Sequence, residues 1–477
     1  MIELSLAEIA AVVGGTVADD TATAPVTGPA FVDSRSVVQG GLFVAVPGER
    51  VDGHDFARAA VEAGVAGVLG ARATGVPTVV VADPVRALGR LARHVVDTLQ
   101  PTVLALTGSQ GKTGTKDYLA QVLAAEGETV WTEGNRNNEI GVPLTVLRIT
   151  PETRFLALEM GARGIGHIAE LCSVAPPQVA AVLNVGTAHL GEFGSREAIA
   201  LAKGEIVEAL PSTGTAVLNA DDDLVIAMAA RTPARVLTFG IAGDVSWRGL
   251  ELDELGRPTF ELGCDGAWAP VRLLEAGAHQ VANAAAAAAM ALAAGVSWDT
   301  VVGALGSARS LSPWRMALHE RPDGLVVVND SYNANPASMN AALDALAAIG
   351  ERGGRRTIAV LGEMLELGAT SAQQHAEVGA HAAGLGVDVL VTVGAAADAI
   401  ADGARRTPDW AGYDVRTAGR EQAEDWLRHN VGAQDVVLVK ASRGAALEHL
   451  ADALAHPADA EVPTGRDEPQ EGGTPSR

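Results

Sequence analysis

The sequence predicts an α/β protein of three domains, with a central domain built on a parallel sheet. Short apolar segments alternate with longer helical segments from the N-terminus to about residue 455. This alternation is typical of parallel sheets that carry helices on both faces. The chain has 477 residues, 48% of them hydrophobic and 19% charged, which is enough for about two to four folded domains.

The strongest local signal lies at residues 102–115, TVLALTGSQGKTGT. An apolar strand ends at Thr107, small residues follow, and Gly111, Lys112 and Thr113 open a segment, residues 116–125, with apolar residues at helical spacing. Such a loop offers free backbone N–H groups at a helix N-terminus to an anion, while the lysine and Thr113 can reach a terminal phosphate and Mg²⁺. The motif is a short variant, because Leu106 stands where the usual pattern has a further glycine. We therefore expect a nucleoside triphosphate site.

Charge and cysteine content narrow the class of protein. The net charge of −23 argues against nucleic acid and anionic membrane surfaces as partners. Cys172 and Cys264 lack the spacing of metal ligands and are interpreted as inert thiols in a reducing compartment. The acidic N-terminus does not fit a signal peptide, and the apolar stretch 284–296 is too short to span a bilayer. A soluble cytoplasmic protein without a membrane span is expected.

Lysine is rare in this chain, with only Lys112, Lys116, Lys203 and Lys440 among 35 basic residues. Because arginine serves elsewhere, a retained lysine indicates a position that needs a primary amine. The surroundings of Lys112, Lys203 and Lys440 favour this interpretation. For Lys116 we prefer the alternative, that the lysine reflects random sequence drift in a lysine-poor genome and not a need for a primary amine.

Residues 1–98 are predicted to form a small α/β domain. Its predicted strands and helices are strands 42–46, 65–69 and 78–82, and helices 54–63 and 84–99. Two polar clusters, at 33–35 and 52–56, fit turns and helix caps or contacts to a ligand.

Residues 99–315 are predicted to form the central sheet. Its predicted strands are 103–106, 129–132, 155–160, 179–185, 215–219 and 235–240. Ligands of such sheets bind at the carboxyl ends of the strands. Glu159 ends an apolar strand, where a carboxylate commonly holds Mg²⁺ beside a phosphate loop. His189 follows the next strand, although a lone histidine is more often a structural hydrogen-bonding group.

Three further features of this central stretch have simple alternatives. Lys203 lies in the helical segment 195–210, and the simple alternative is that its aliphatic carbons pack on an apolar surface without a functional role. The acidic run 221–223 is interpreted as a helix cap. Asn283 lies just inside an alanine-rich helix and could contact a base edge.

Residues 316–455 are predicted to form a second, Rossmann-like sheet. Its predicted strands are 325–328, 357–361, 387–393 and 436–439, each followed by polar residues. Residues 456–477 are rich in proline, glycine and acidic residues and are predicted to be a disordered tail.

Taken together, the motifs resemble the Mur ligase family over residues 30–450. The matching segments are DSR at 33–35, LFVAVPG at 42–48, DGHDF at 52–56, TGSQGKTGTK at 107–116, EGNRNNEIGVPLT at 133–145, EMGARGIGHI at 159–168, NVGTAHLGEFGS at 184–195, AKGEI at 202–206, GAHQVANA at 277–284, NDSYNANP at 329–336, VLGEMLELG at 360–368 and VKASR at 439–443. The asparagine-rich segments favour the type that adds D-alanyl-D-alanine, and the Asp-Asn-Pro-Arg mark of the sibling that adds the third residue is absent from the sequence.

The resemblance implies a UDP-substrate domain, a central ATPase domain and a C-terminal Rossmann-like domain. It implies an ATP-dependent ligase that activates the terminal carboxylate of UDP-MurNAc-tripeptide as an acyl phosphate. The amine of D-alanyl-D-alanine then attacks, giving the pentapeptide precursor of peptidoglycan, ADP and phosphate. The resemblance also implies two Mg²⁺ sites and a carbamylated lysine at Lys203, and we expect a monomer.

The family's functional residues map onto this sequence as follows. Catalytic roles fall on Lys112, Glu159, His189 and Lys203. ATP contacts fall on Gly108, Ser109, Gln110, Gly111, Lys112, Thr113, Gly114, Asn283, Arg315 and Asp330. Metal contacts fall on Thr113, Glu159, His189 and Lys203. Substrate contacts fall on Asp33, Ser34, Arg35, Asn135, Asn137, Asn138, Tyr332, Asn333, Asn335, Lys440, Ser442 and Arg443.

The sequence departs from the family pattern at three positions and leaves two alternatives. Asn329 replaces the first Asp of the common Asp-Asp-Ser-Tyr form, and Gly114 and Arg136 are also atypical, which leaves the fine substrate preference open. One alternative is another amide ligase of the superfamily, such as the folate polyglutamylating enzyme; the N-terminal DSR and DGH motifs argue against it. The other is a nucleotide-binding regulator without ligase activity. The presence of all four catalytic residues named above argues against it.

Overall fold

A computed structural model of the chain describes residues 1–18, 25–48, 51–186 and 193–456. Within these ranges the strands form three sheets, one in each of the three predicted domains. The predicted α/β class is therefore confirmed, while the domain boundaries near residues 98 and 315 stay predictions. Apart from His456, the predicted tail lies outside the described residues.

The secondary structure follows the alternation seen in the sequence. The helices of the described residues are α1 (Leu6–Val13), α2 (Ala57–Glu62), α3 (Pro84–Leu99), α4 (Lys112–Ala124), α5 (Gly141–Val146), α6 (His167–Val174), α7 (Arg196–Glu208), α8 (Asp223–Ile226), α9 (His279–Ala293), α10 (Trp298–Ser307), α11 (Pro336–Gly353), α12 (Ser371–Gly384), α13 (Asp398–Arg405), α14 (Arg420–Asn430) and α15 (Glu448–Ala455). The strands there are β1 (Thr16–Ala18), β2 (Ala30–Phe31), β3 (Leu42–Val44), β4 (Gly67–Gly70), β5 (Thr78–Val80), β6 (Thr102–Thr107), β7 (Thr129–Trp131), β8 (Phe155–Glu159), β9 (Val179–Val182), β10 (Thr215–Asn219), β11 (Arg235–Phe239), β12 (Val245–Leu252), β13 (Pro258–Cys264), β14 (Ala267–Arg272), β15 (Ala317–Glu320), β16 (Val326–Asn329), β17 (Arg356–Leu361), β18 (Val389–Val393), β19 (Tyr413–Thr417) and β20 (Asp435–Lys440).

The N-terminal sheet has the order β1-β5-β4-β3-β2; β1 pairs antiparallel with β5, and β5, β4, β3 and β2 pair parallel. Helix α3 spans the predicted residues because capping residues define both of its ends. Asp83 caps its N-terminus by accepting from the backbone N–H groups of Val85 and Arg86, and Pro84 takes the first helical position, where no N–H is needed. Gln100 ends it in a left-handed conformation.

The central sheet has the order β14-β13-β12-β11-β10-β9-β6-β8-β7. The six parallel strands that the sequence predicted correspond to β6 to β11. Strand β6 lies between β8 and β9, and Leu106 pairs with Glu159, so the phosphate loop and this carboxylate meet at the same edge of the sheet. Strands β12 to β14, which the sequence had not predicted, extend the sheet: β12 pairs parallel with β11, and the β12–β13 and β13–β14 pairs are antiparallel.

The C-terminal sheet has the order β15-β16-β20-β17-β18-β19, parallel except for the edge strand β15. Strands β16 and β20 are neighbours, and Asn329 pairs with Val439. The residues that follow, Asp330 and Lys440, therefore lie side by side although 110 positions separate them.

The tip of the β12–β13 hairpin contacts the C-terminal domain directly. Leu255 at this tip is buried in one hydrophobic cluster with Leu346 and Ile349 of α11. The Arg352 guanidinium, near the end of the same helix, donates a hydrogen bond of 2.9 Å to the Leu252 carbonyl. The central and C-terminal domains thus share part of one apolar core.

None of the helices in the described ranges combines the length and the apolar content that a membrane span requires.

Candidate active site

A cavity of about 770 Å³ lies where the carboxyl ends of the central and C-terminal sheets face each other. It gathers most of the site residues predicted from the sequence. Those that line it are Ser109, Gln110, Gly111, Lys112, Thr113, Gly114, Asn135, Asn137, Asn138, Glu159, Lys203, Asn283, Arg315, Asp330, Tyr332, Asn333, Asn335 and Arg443. Residues that are far apart in the sequence therefore face one space.

The phosphate loop forms as the sequence predicts. Strand β6 ends at Thr107, Gly111 takes a left-handed conformation with φ of 75°, and α4 begins at Lys112. A Cβ atom at position 111 would meet the Asn283 side-chain oxygen at 2.4 Å, so glycine is needed there for space as well as for conformation. The Lys112 ammonium donates to the Gly108 carbonyl at 2.8 Å and so lies across the loop. Burial lowers the pKa of Lys112, against the opposing effect of the Glu159 carboxylate.

Asn184 holds the phosphate loop and was not among the predicted site residues. Its side-chain oxygen accepts from the backbone N–H groups of Ser109 at 3.0 Å and of Gln110 at 2.9 Å. The Ser109 hydroxyl in turn accepts from the backbone N–H of Gly186 at 2.9 Å. The position of Asn184 just after strand β9, within the NVGTAHLG segment, was the signal that could have identified this residue.

The Glu159 carboxylate lies beside the first turn of α4 and is 2% exposed. One of its oxygens accepts from the Thr113 hydroxyl at 3.0 Å, and the other accepts from the Asn137 amide at 2.8 Å. Both oxygens are thus oriented toward the phosphate-loop end of the cavity. Hydroxyl and carboxylate oxygens are the donors that Mg²⁺ prefers.

Lys203 lies on α7 and faces the same cavity. Ser195 caps this helix by accepting from the backbone N–H of Ala198, in agreement with the predicted helical segment. The Lys203 side chain is 7% exposed, and within the described part of the chain its ammonium forms no ion pair with a carboxylate. Burial, with a further contribution from the positive charge of Lys112, brings the pKa of Lys203 well below its usual value. The predicted partner His189 lies outside the described residues.

The C-terminal domain and the segment before it contribute two arginines to the cavity. The Arg315 guanidinium lies 4.1 Å from the centre of the Tyr332 ring, and the Arg443 guanidinium lies 4.4 Å from the Trp314 ring. The buried Nε atom of Arg315 has no hydrogen-bond partner among the described residues. A buried, unpaired donor facing a cavity is a candidate for contact with an anionic ligand.

Asp330 and Lys440 form a buried pair at the end of the C-terminal sheet. The Lys440 ammonium donates to the Asp330 carboxylate at 2.5 Å and to the Asn333 carbonyl at 2.9 Å. The other carboxylate oxygen of Asp330 accepts from the backbone N–H of Met316 at 3.1 Å. Lys440 is 2% exposed and lies behind the cavity wall, as does Ser442, whose hydroxyl accepts from the backbone N–H of Leu365.

The structure does not bring Asp33, Ser34 and Arg35 to this cavity. They form an exposed turn after β2, where the Asp33 carboxylate accepts from the backbone N–H and the guanidinium of Arg35. These hydrogen bonds lower the pKa of Asp33 to about 2. The segment 52–56 is a helix cap, as one interpretation held: Asp52 accepts from the His54 backbone.

One interpretation from the sequence is wrong. Lys116, assigned to compositional drift, is fully buried and pairs with Asp117 at 2.6 Å. Its second partner, Ser312, lies 196 positions further along the chain, which is why no local pattern could identify the pair. Asp222, in contrast, caps α8 as predicted.

Comparisons with known proteins agree with this architecture. The family model of the Mur ligase middle domain matches residues 106–291, that of the Mur ligase glutamate ligase domain matches 314–443, and that of the Mur ligase family catalytic domain matches 31–95. The UDP-N-acetylmuramoyl-tripeptide–D-alanyl-D-alanine ligase of Mycobacterium tuberculosis is 47% identical, over 95% of this chain and 98% of the relative. The enzyme of the same name from Escherichia coli is 36% identical, over 95% of this chain and 99% of the relative.

Solved structures give the same result. A crystal structure of MurF from Acinetobacter baumannii superposes with a TM-score of 0.84 at 33% identity, covering 95% of this chain and 99% of that one. The MurF ligase of Thermotoga maritima, solved in complex with ADP, has a TM-score of 0.77 at 31% identity and covers 90% of this chain and 97% of its own. Because the family models match in all three α/β units and the relatives span nearly the whole length, the chain belongs to the Mur ligase family.

Proposed function

We propose that this chain joins D-alanyl-D-alanine to UDP-N-acetylmuramoyl-tripeptide, with conversion of ATP to ADP and phosphate. Relatives with 36% and 47% identity over 95% of the chain carry the name of this activity. The observation that carries the proposal is the oriented carboxylate of Glu159, held by Thr113 and Asn137 beside the phosphate loop. Lys112 and Lys203 face the same cavity.

The first chemical demand is electrostatic. The tripeptide carboxylate must approach the γ-phosphate of ATP, and both groups are anionic, so cations must offset their repulsion. Lys112, on the first turn of α4, supplies one such charge at the phosphate loop. Arg315, which also lines the cavity, supplies another, and its buried Nε has no hydrogen-bond partner among the described residues.

Thr113 and Glu159 are the residues that would hold Mg²⁺ beside the phosphate loop. Among the described residues there is no group of three histidine, cysteine or acidic side chains that could bind a metal unaided. Mg²⁺ commonly takes one or two protein ligands and completes its shell with phosphate oxygens and water. Mg²⁺ held by these residues would supply positive charge that offsets the charge of the phosphates. Asn137 fixes the carboxylate that receives it.

Lys203 is proposed to carry a carbamate. The ammonium first loses a proton to solvent. The neutral amine then attacks the carbon of CO₂, a nitrogen–carbon bond forms as a carbon–oxygen π bond opens onto oxygen, and a second proton is lost from nitrogen, so that a cation is replaced by a carboxylate. The lowered pKa of Lys203 supports this step, because only the unprotonated amine reacts. With His189, which lies outside the described residues, the carbamate would serve the second Mg²⁺ site. An arginine could not take up CO₂ in this way.

The ligation then proceeds in two steps. An oxygen of the tripeptide carboxylate attacks the γ-phosphorus, and the bond from phosphorus to the ADP oxygen breaks. The amine of D-alanyl-D-alanine next attacks the acyl carbon, loses a proton, and the tetrahedral intermediate collapses with loss of phosphate. Closing the cavity between the central and C-terminal domains excludes water, which would otherwise hydrolyse the acyl phosphate.

The remaining contacts are proposed from the resemblance and from position. Asn283 contacts adenine, Asp330 contacts the ribose, and the exposed turn at residues 33–35 holds the UDP portion. The amides of Asn135, Asn137 and Asn138 line the path of the muramoyl-peptide. The residues proposed for the incoming dipeptide are Tyr332, Asn333, Asn335, Lys440, Ser442 and Arg443.

Two of the residues proposed for the dipeptide, Lys440 and Ser442, act indirectly, through the backbone that they hold in place. Lys440 bonds the Asn333 carbonyl at 2.9 Å, and Ser442 bonds the Ala334 carbonyl at 3.4 Å. They therefore set the backbone that presents Asn333 to the cavity.

Since the reaction uses ATP and a UDP-linked precursor, we also propose a cytoplasmic location.

The proposal is tested by ADP release from the purified protein with ATP, Mg²⁺ and UDP-MurNAc-tripeptide, with and without D-alanyl-D-alanine. ADP release that requires the dipeptide supports the ligase. Release that is indifferent to the dipeptide contradicts it and leaves a generic ATPase. Dependence on a folate and glutamate instead would favour the sibling amide ligase.

A further inference from the structure

Three buried polar residues outside the proposed catalytic set form a cluster that we call the linker anchor: Lys116, Asp117 and Ser312. They are 0%, 5% and 4% exposed, respectively. The Lys116 ammonium lies 2.6 Å from one Asp117 carboxylate oxygen and donates to the Ser312 hydroxyl at 3.1 Å. The Ser312 hydroxyl donates to the same carboxylate oxygen at 3.0 Å. Each member of the cluster therefore contacts the other two.

The anchor fixes the segment that leads from the central domain to the C-terminal domain. The second carboxylate oxygen of Asp117 accepts from the backbone N–H groups of Leu311 at 3.1 Å and Ser312 at 3.0 Å. One turn further along α4, the Gln121 amide exchanges two hydrogen bonds with the Arg309 backbone, at 2.8 and 3.0 Å. The helix that begins at the phosphate loop thus holds residues 309–312 mainly through their backbone.

Arg315 follows the anchored segment by three residues. Trp314 and Met316 on either side of it have φ angles of 60° and 51°, in the left-handed region that non-glycine residues rarely adopt. Such conformations persist only where the surroundings over-determine them. Here the chain is held at Ser312 by the anchor and at Met316 by the Asp330 carboxylate. The hydrogen bonds at these two positions fix where the Arg315 guanidinium enters the cavity.

We propose that Lys116, Asp117 and Ser312 are positioning residues, which set the distance between the phosphate loop and Arg315. Asp117 lies on the same helix that begins at Lys112, so the anchor links the helix that carries Lys112 with the segment that carries Arg315. Lys116 compensates the buried charge of Asp117, so that the carboxylate can bond the linker without water. This inference rests on the proposed function, because it assigns Arg315 to the phosphate.

The plain alternative is an ion pair that only stabilises the fold. Asp435 provides a matched control, since it is also 5% exposed, pairs with Arg356 at 2.8 Å, and accepts from the Gly432 backbone at 2.7 Å. It lies at the start of β20, at the opposite end of that strand from Lys440. An Asp435→Asn variant should lose stability without a change in the turnover of the folded protein.

The experiment compares Asp117→Asn with Asp435→Asn in dipeptide-dependent ADP release, with Ser312→Ala as a milder variant that removes only a hydroxyl. If the anchor positions Arg315, the kcat of Asp117→Asn falls about 100-fold and that of Ser312→Ala about 10-fold, because small misplacements of a catalytic group are costly. Affinity for ADP, measured by calorimetry, stays close to that of the wild type. Equal kcat values in Asp117→Asn and Asp435→Asn would overturn the inference.

A double-mutant cycle identifies the residue through which the anchor acts. If Asp117 acts through Arg315, the variant Asp117→Asn, Arg315→Ala is no slower than Arg315→Ala alone. Multiplicative losses would mean that the anchor does not act through Arg315 and would overturn the inference. If the wild-type protein released ADP without the dipeptide, the proposed function would fail first and this inference with it.

Discussion

Replacing Lys203 by alanine and, separately, by methionine distinguishes the role of its amine from that of its buried stem. The side chain is 7% exposed, so Lys203→Ala removes three buried methylene groups together with the amine. At about 0.8 kcal/mol for each methylene, the free energy of unfolding should fall by about 2.4 kcal/mol. Lys203→Met keeps a stem of similar size and should cost less than about 1.5 kcal/mol.

Activity should respond differently from stability. Neither variant can carry a carbamate, so both should lose dipeptide-dependent ADP release by about 100- to 1,000-fold. Formate or acetate added to Lys203→Ala can enter the vacated space and supply the missing carboxylate. The same acids should not rescue Lys203→Met, because its side chain fills that space.

The assays are coupled ADP release and urea unfolding followed by fluorescence, with both variants prepared in parallel. Wild-type activity in Lys203→Met would refute the carbamate while leaving the ligase in place. Equal rescue of both variants would show that the acids act elsewhere. A stability loss of Lys203→Ala no greater than that of Lys203→Met would contradict the packing argument.

Three further predictions concern the metal site, the C-terminal pair and pH. Glu159→Gln keeps the shape of a side chain that accepts from Thr113 but removes its charge, so the Mg²⁺ concentration for half-maximal activity should rise at least about 10-fold in a titration. Lys440→Met leaves the buried Asp330 carboxylate without its cation and should cost about 3–5 kcal/mol in urea unfolding; a loss below about 1 kcal/mol would contradict this. In CO₂-free buffer the free energy of unfolding should rise with pH between the lowered pKa of Lys203 and its usual value of 10.5, because the unfolded chain binds a proton that the folded chain does not. The Lys203→Met variant should lack this rise.

The parts of the fold that were predicted from sequence are those with local signals. Helix α3 has a capping aspartate and a proline at its start, and its bounds match the prediction. The phosphate loop combines a buried strand, glycines and a helix start within 14 residues, and these local signals were enough to predict its strand, loop and helix. Glu159 was identified because carboxyl ends of parallel strands meet at one edge.

The rest depended on contacts between distant residues or on weak patterns. Strand β12 has one buried residue among eight, and its pairing with β13 shifts register between Arg248 and Glu251, so no regular alternation of apolar and polar residues runs through it. The burial of Lys116 depends on Ser312, and the role of Asn184 depends on Ser109, 75 positions earlier. Such pairs arise only when the sheet order brings separate segments together.

The hairpin tip that carries Leu255 has a consequence for engineering. Because Leu255 completes an apolar cluster with Leu346 and Ile349, the C-terminal unit is discontinuous in sequence. A fragment beginning near residue 316 would expose the surface that this leucine covers and should aggregate or fold poorly. Exchanging this unit between relatives would therefore require transplanting the hairpin tip as well, so a single crossover near residue 315 is a poor choice for building chimaeras.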